Sequence, residues 1–85
     1  MKIVFSDTAW DDYQYWIVTD KGMVKRINAL IKDIKRDNFS GIGKPEALKH
    51  ALSGFWSRRI NDEHRLVYRI KDGNLEIAQL RFHYE

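Results

Sequence analysis

The apolar residues of this 85-residue chain change period once, on either side of the loop Asp37–Pro45 (DNFSGIGKP), and that change limits the possible folds more than any other feature. Before the loop the period is helical. Met23, Val24, Ile27, Leu30, Ile31 and Ile34 recur on one face, with Lys25, Arg26, Lys32 and Lys35 outside it. Upstream, Trp10, Tyr13 and Ile17 fall at i, i+3 and i+7 and predict another helix face, with Ser6 or Asp7 as its N-cap. Asp20-Lys21-Gly22 is read as the break between the two helices, and Lys2–Phe5 as a short first strand. After Pro45 the pattern is that of strands. Glu46–Lys49 is a short segment of open type, and Phe55–Ile60 is a strand. Asn61-Asp62-Glu63 is a turn, and His64–Lys71 and Leu75–Phe82 are strands around an Asp72-Gly73 hairpin signal. The expected order is β, α, α, then three or four antiparallel strands. This is an α+β fold with its helices packed on one face of the sheet.

A chain this short buries only roughly 60% of the surface its unfolded form exposes. It has no cysteine, so no disulfide supports the thin core, and thiolate chemistry and zinc–sulfur sites are excluded. No run approaches a membrane span, and no signal-peptide pattern opens the sequence. The expectation is a single domain over residues 1–85, soluble and cytoplasmic, with no membrane partner. The net charge of +3 is modest, but its distribution is uneven. Asp7, Asp11, Asp12 and Asp20 face only Lys2 in the first twenty residues, whereas lysine and arginine dominate from Lys25 onward. A basic second half interleaved with aromatics suits phosphate contact and base stacking.

Hairpin arithmetic orders the candidate residues. If the turn at Asn61–Glu63 pairs Ile60 with His64, Arg59 pairs with Arg65 and Ser57 with Val67. Trp56, Ile60, Leu66, Tyr68 and Ile70 then share a face suited to the core, with Arg58 as the exception. Phe55, Ser57, Arg59, Arg65, Val67 and Arg69 share the other. Arginines opposed across strands repel unless they splay into solvent or an anion joins them. Both readings stay open: a solvated face, or a phosphate-binding surface built on the forked guanidinium donors. Glu46, just after Pro45, is either a surface carboxylate or a base kept ionised by nearby arginines. Glu46 and His50 are four apart, but two ligands do not make a metal site, so the histidines are read as non-metal. His83 in the tail is either solvent-exposed or a proton donor, the side chain best suited to that task near neutral pH. Tyr84 can stack on a base or assist the same step.

Together Glu46, Arg65 and His83 form a chemically complete set for cutting RNA with no metal or cofactor. A base takes the 2′-OH proton and the oxygen attacks the adjacent phosphate. Arginine stabilises the charge on the phosphorane, and an acid protonates the leaving 5′-oxygen. The set works only if the three open onto one face. A two-residue Asp72-Gly73 turn pairs Lys71 with Asn74 and puts His83 opposite Arg65. A three-residue turn with a bulge, or a bend after Phe82, brings them to one side.

Gly43–Ile70 (GKPEALKHALSGFWSRRINDEHRLVYRI) closely resembles the YoeB family of the RelE/ParE toxin superfamily. So do WDDYQYW at Trp10–Trp16, RINALIKDIKRD at Arg26–Asp37 and RFHY at Arg81–Tyr84, so the resemblance covers essentially the whole chain. It implies a microbial-ribonuclease-like fold and a ribosome-dependent endoribonuclease that cuts mRNA in the A site, leaving a cyclic phosphate and a 5′-hydroxyl. Carried over by position, Glu46 matches the general base, Arg65 the transition-state arginine, His83 the general acid and Tyr84 the supporting terminal aromatic. Lys49 and Arg59 match residues that hold phosphate and RNA. The implied partners are mRNA, the 70S ribosome, a YefM-like antitoxin with a disordered acidic segment, and a second copy in a homodimer. Glu85 is an extra residue beyond the family's ending. Two other readings are a ParE-like or non-enzymatic antitoxin-binding toxin of the same fold, and a general RNA-binding module. The presence of Glu46, Arg65 and His83-Tyr84 together argues against the first, and strand cleavage would exclude the second.

Overall fold

Ser6 is the residue that starts the first helix: its Oγ accepts from the Ala9 N–H, as an N-cap should. The computed structural model, which describes residues 1–83, runs β1 (Ile3–Phe5), α1 (Asp7–Thr19), α2 (Lys21–Arg36), β2 (Glu46–Ala47), a 3₁₀ turn (His50–Leu52), β3 (Trp56–Arg59), β4 (Arg65–Lys71) and β5 (Asn74–Gln79). Asp20 alone separates the helices. Its backbone N–H closes α1 on the Trp16 carbonyl, and its carboxylate caps α2 through the Gly22 and Met23 N–H groups. Lys21 and Gly22, expected in the break, therefore belong to the first turn of α2.

The sheet order is β1-β5-β4-β3-β2. β2 through β5 pair antiparallel, whereas β1 lies parallel to β5 along an edge, so the sheet is mixed. The predicted hairpin register holds, with Arg59 opposite Arg65 and Ser57 opposite Val67. One face packs under the helices. Leu66, Tyr68, Leu75 and Ile77 meet Ile27, Leu30 and Ile34 of α2, all almost fully buried, and truncating a leucine among them would cost about 2–5 kcal/mol.

The face of α1 is not the one its spacing suggested. Ala9 and Trp16 are buried with Tyr13 half-buried, while Trp10, Tyr15 and Ile17 are exposed. Trp16 wins the inward place because its indole N–H also has a partner there, the Leu80 carbonyl at 2.8 Å.

The last strand differs most from expectation. Asp72-Gly73 forms a two-residue turn with φ +53° and +74°, pairing Lys71 with Asn74. The register then shifts: Tyr68 faces Ile77 but Val67 faces Gln79, so Ala78 is an extra residue. Ser6 absorbs the bulge, its N–H bonding the Ile77 carbonyl and its Oγ the Ala78 carbonyl. The strand ends at Gln79 rather than Phe82, and Phe82 takes φ +65°. A left-handed non-glycine residue costs roughly 1–2 kcal/mol and persists only where neighbours hold it. Among the described residues no helix is long and apolar enough to cross a membrane.

Candidate active site

Pairing register places the candidate base on the open face of the sheet. Glu46 pairs with Ser57, Ser57 with Val67 and Val67 with Gln79, and paired residues share a face. Arg59 and Arg65 form the next row of that face. Sheet spacings put the Glu46 and Arg65 backbones roughly 12 Å apart, a gap that two long side chains can bridge around a phosphodiester. Glu46 is exposed, as are Lys49 and Arg59. Lys49 starts the 3₁₀ turn that, with Glu46, borders a groove of about 400 Å3. Leu48 and Val67 are buried outside the helix-side cluster and give this face an apolar floor.

Arg65 is only 7% exposed. Its Nη1 donates to the carbonyls of Asn61, Asp62 and His64 at 2.8–3.2 Å. Asn61 shapes that turn by accepting the Glu63 and His64 N–H groups on its Oδ1. These bonds fix one edge of the guanidinium, so the opposed Arg59 and Arg65 do not simply splay apart. Arg69, two residues on, is neutralised: its Nε donates to Glu76 Oε1 at 2.6 Å and its guanidinium lies over Phe55. The expected basic face is therefore concentrated at Arg59 and Arg65.

The tail reaches this row by leaving the sheet. The Leu80 N–H and C=O are taken by Asp12 and Trp16 of α1. Arg81 stacks on the Tyr15 ring at 3.5 Å. The Phe82 carbonyl accepts from the Arg65 N–H at 3.0 Å, and the Phe82 N–H donates to His64 Nδ1 at 2.7 Å. His83, exposed, thus follows a residue tied to the backbone of Arg65. The three-residue turn with a bulge does not form: the turn has two residues, and the change of direction comes instead from a bulge at Ala78 and a bend at Phe82. Tyr84 and Glu85 lie outside the described residues.

Arg58, the exception on the core face, is fully buried and holds the Asp37–Pro45 loop. It donates to Asp33 Oδ2 (2.6 Å), to the carbonyls of Asp37, Ser40 and Ile42, and to the Tyr68 hydroxyl. The Ile42 N–H and the Arg58 guanidinium together hold the Asp33 carboxyl down to about 2. The Ser40 hydroxyl and Phe39 N–H lower Asp37, and burial pushes Tyr68 up. This network delivers the chain to Glu46. Among the described residues no three of His, Cys, Asp and Glu gather as metal ligands. Sequence reasoning missed His64, taken only as a non-metal histidine. Its signal was faint: a histidine beside Arg65 at a turn end.

Comparison with known proteins agrees with this architecture. Residues 5–84 match the family model described as YoeB-like toxin of bacterial type II toxin-antitoxin system. The chain is 62% identical over 84 residues to Toxin YoeB of Escherichia coli (strain K12), covering 99% of this chain and 100% of the relative. A YoeB/ParE toxin from Agrobacterium tumefaciens superposes with TM-score 0.97 at 52% identity, covering 99% of this chain and 100% of that one. YoeB from Staphylococcus aureus, solved as a dimer and as a heterotetrameric YoeB-YefM complex, gives TM-score 0.92 at 52% identity over 99% of this chain and 98% of that one. A helix pair on a five-stranded mixed sheet, with that match along nearly the whole sequence, places the chain in the YoeB-like toxin family of bacterial type II toxin-antitoxin systems.

Proposed function

We propose that this toxin is a ribosome-dependent endoribonuclease that cuts mRNA in the A site by metal-independent acid–base catalysis. The observation that supports the reading is one of placement: Glu46 and Arg65 share the open sheet face, and His83 directly follows the residue bonded to Arg65. In this reading Glu46 removes the 2′-OH proton and Arg65 stabilises the phosphorane. His83 protonates the leaving 5′-oxygen, with Tyr84 in support, and Lys49 and Arg59 hold the RNA backbone. The products are a cyclic phosphate and a 5′-hydroxyl end. The fixed Nη1 edge of Arg65 suits this role, because a donor already held in place needs no reorganisation as charge builds.

The ribosome enters the reading as mRNA's holder: an exposed, shallow site gains from a partner that orients the strand. Its other partners are a YefM-like antitoxin and a second copy of the chain, by analogy with the Staphylococcus aureus relative's complex and dimer. The protein acts in the cytoplasm as one domain. The test is cell-free translation with added protein, followed by primer extension on the arrested message. Cuts within or beside the A-site codon are expected. Intact message on stalled ribosomes would sink the reading and favour a toxin that only binds.

A further inference from the structure

His64 is 8% exposed and stands where three elements meet. Its ring packs edge-on against Trp16 of α1, with centroids 4.9 Å apart, and against the Phe82 ring at 5.9 Å. Its backbone carbonyl accepts from the Ile60 N–H and closes the β3–β4 turn. Its Nδ1 lies 2.7 Å from the Phe82 nitrogen. A backbone N–H can only donate, so Nδ1 must be the unprotonated acceptor and the ring proton sits on Nε2. Nε2 in turn faces Glu63 Oε1 at 3.6 Å.

From this arrangement we infer that His64 is a positioning residue for catalysis, clamping the tail that carries His83 through the Phe82 amide. The inference rests on the ribonuclease reading and extends it. Phe82 has both backbone groups taken by consecutive residues, its N–H by His64 and its C=O by Arg65. The second bond is main chain to main chain and independent of side-chain identity. Among the described residues the first is the side-chain bond to the Phe82 backbone. Phe82 also holds a positive φ that an L residue does not keep unaided. Without the Nδ1 acceptor, Phe82 keeps its carbonyl bond to Arg65 but loses the restraint on its amide, and the positive φ that sets the direction of the chain towards His83 is held less firmly. His64 touches no reacting atom in this scheme. It acts through Phe82.

Two variants separate the ring from its acceptor. His64→Phe keeps the aromatic packing on Trp16 and removes the acceptor. His64→Asn removes the ring but puts an oxygen on Cγ, where Nδ1 had been. Each full-length protein is assayed for single-turnover cleavage on programmed ribosomes, for ribosome affinity, and for hydrogen exchange at the Phe82 amide. The expected result is that His64→Phe loses Phe82 protection and about 100-fold in cleavage rate, the scale of an ångström misplacement, with affinity unchanged. His64→Asn regains both. Cleavage that does not follow Phe82 protection across the three proteins, or undiminished protection in His64→Phe, overturns the clamp. A wild-type protein that protects Phe82 but cuts nothing overturns the ribonuclease reading instead, and His64 then has no catalytic step to position.

Discussion

Arg58 lies fully buried with five partners around its guanidinium, three of them carbonyls of one loop. Removing such a charge leaves those carbonyls without this donor and Asp33 with only the Ile42 N–H and Arg36, a change that typically costs about 3–5 kcal/mol. Arg58→Met should therefore lower the melting midpoint by roughly 20 °C, read by thermal unfolding. Arg58→Lys should recover little, because one ammonium cannot span the same acceptors. Acid acts on the same network. Asp33 and Asp37 have carboxyls lowered in the folded state, so the unfolded chain binds more protons than the folded one. Their stabilisation is complete above the ordinary value of 3.8 and is lost as pH falls towards the folded Asp33 value of about 2. Urea midpoints measured from pH 5 to pH 2 should fall in that window, and Asp33→Asn should flatten the fall. The sequence marked Arg58 as out of place but gave no hint of its partners. They are backbone atoms of a loop, the Tyr68 hydroxyl and an aspartate 25 positions away, and no local pattern encodes them.

The Asp37–Pro45 loop, the β-hairpins and the tail differ in how far local chemistry decides them. The turn at Asn61–Glu63 fixed the β3–β4 register, and with it the shared face of Arg59 and Arg65, because a short turn allows one pairing. Asp72-Gly73 marked the β4–β5 hairpin but left its turn length open, and the two-residue form is the one adopted. The Ala78 bulge was not legible: Ile77, Ala78 and Gln79 carry no glycine, and the partner that absorbs the bulge is Ser6, far off in sequence. The phase of α1 was obscured because aromatic or apolar residues occur on all its sides. The tail's path past Arg65 rests on His64, Trp16 and Asp12, three distant contacts.

Glycines in these loops give a direct test of which turns are crowded. At Gly43, φ is +81° and an added Cβ would lie 2.8 Å from Leu30 Cδ2 and 3.1 Å from Arg58 Cβ. At Gly73, φ is +74° and nothing lies within 4 Å. Gly73→Ala should cost about 1 kcal/mol, the left-handed conformation alone, whereas Gly43→Ala should cost clearly more. It should also impair cleavage, since the Gly43 carbonyl accepts the Arg59 N–H at 2.7 Å just ahead of Glu46. Equal denaturant midpoints for the two variants would contradict this difference in packing.

At the scale of the whole molecule, the proposed chemistry separates binding from cutting. In this reading His83, exposed in the tail, is the proton donor, so His83→Gln should stop cleavage while ribosome binding persists in a pelleting assay. Full activity in that variant would remove His83 from the acid role. Because acid, base and arginine are all side chains, EDTA at levels that leave ribosomes intact should not slow the wild-type protein; strong inhibition would contradict the metal-free scheme.

The parallel edge pairing of β1 with β5 also orders events in time. Lys2 and Asn74, bonded beside this pair, are 72 residues apart. A ribosome adding roughly 5–20 residues per second makes β1 some 4–14 s before its partner exists. Until β5 emerges, Ser6 has no bulge to anchor and β4 has one neighbour instead of two. The sheet is completed late in synthesis, after Glu46 and Arg65 have been made but before either has its final surroundings. A nascent copy is therefore unfinished while its own ribosome still encloses the last strand, and under the proposed function the machine that makes this toxin is shielded from the chain it is making.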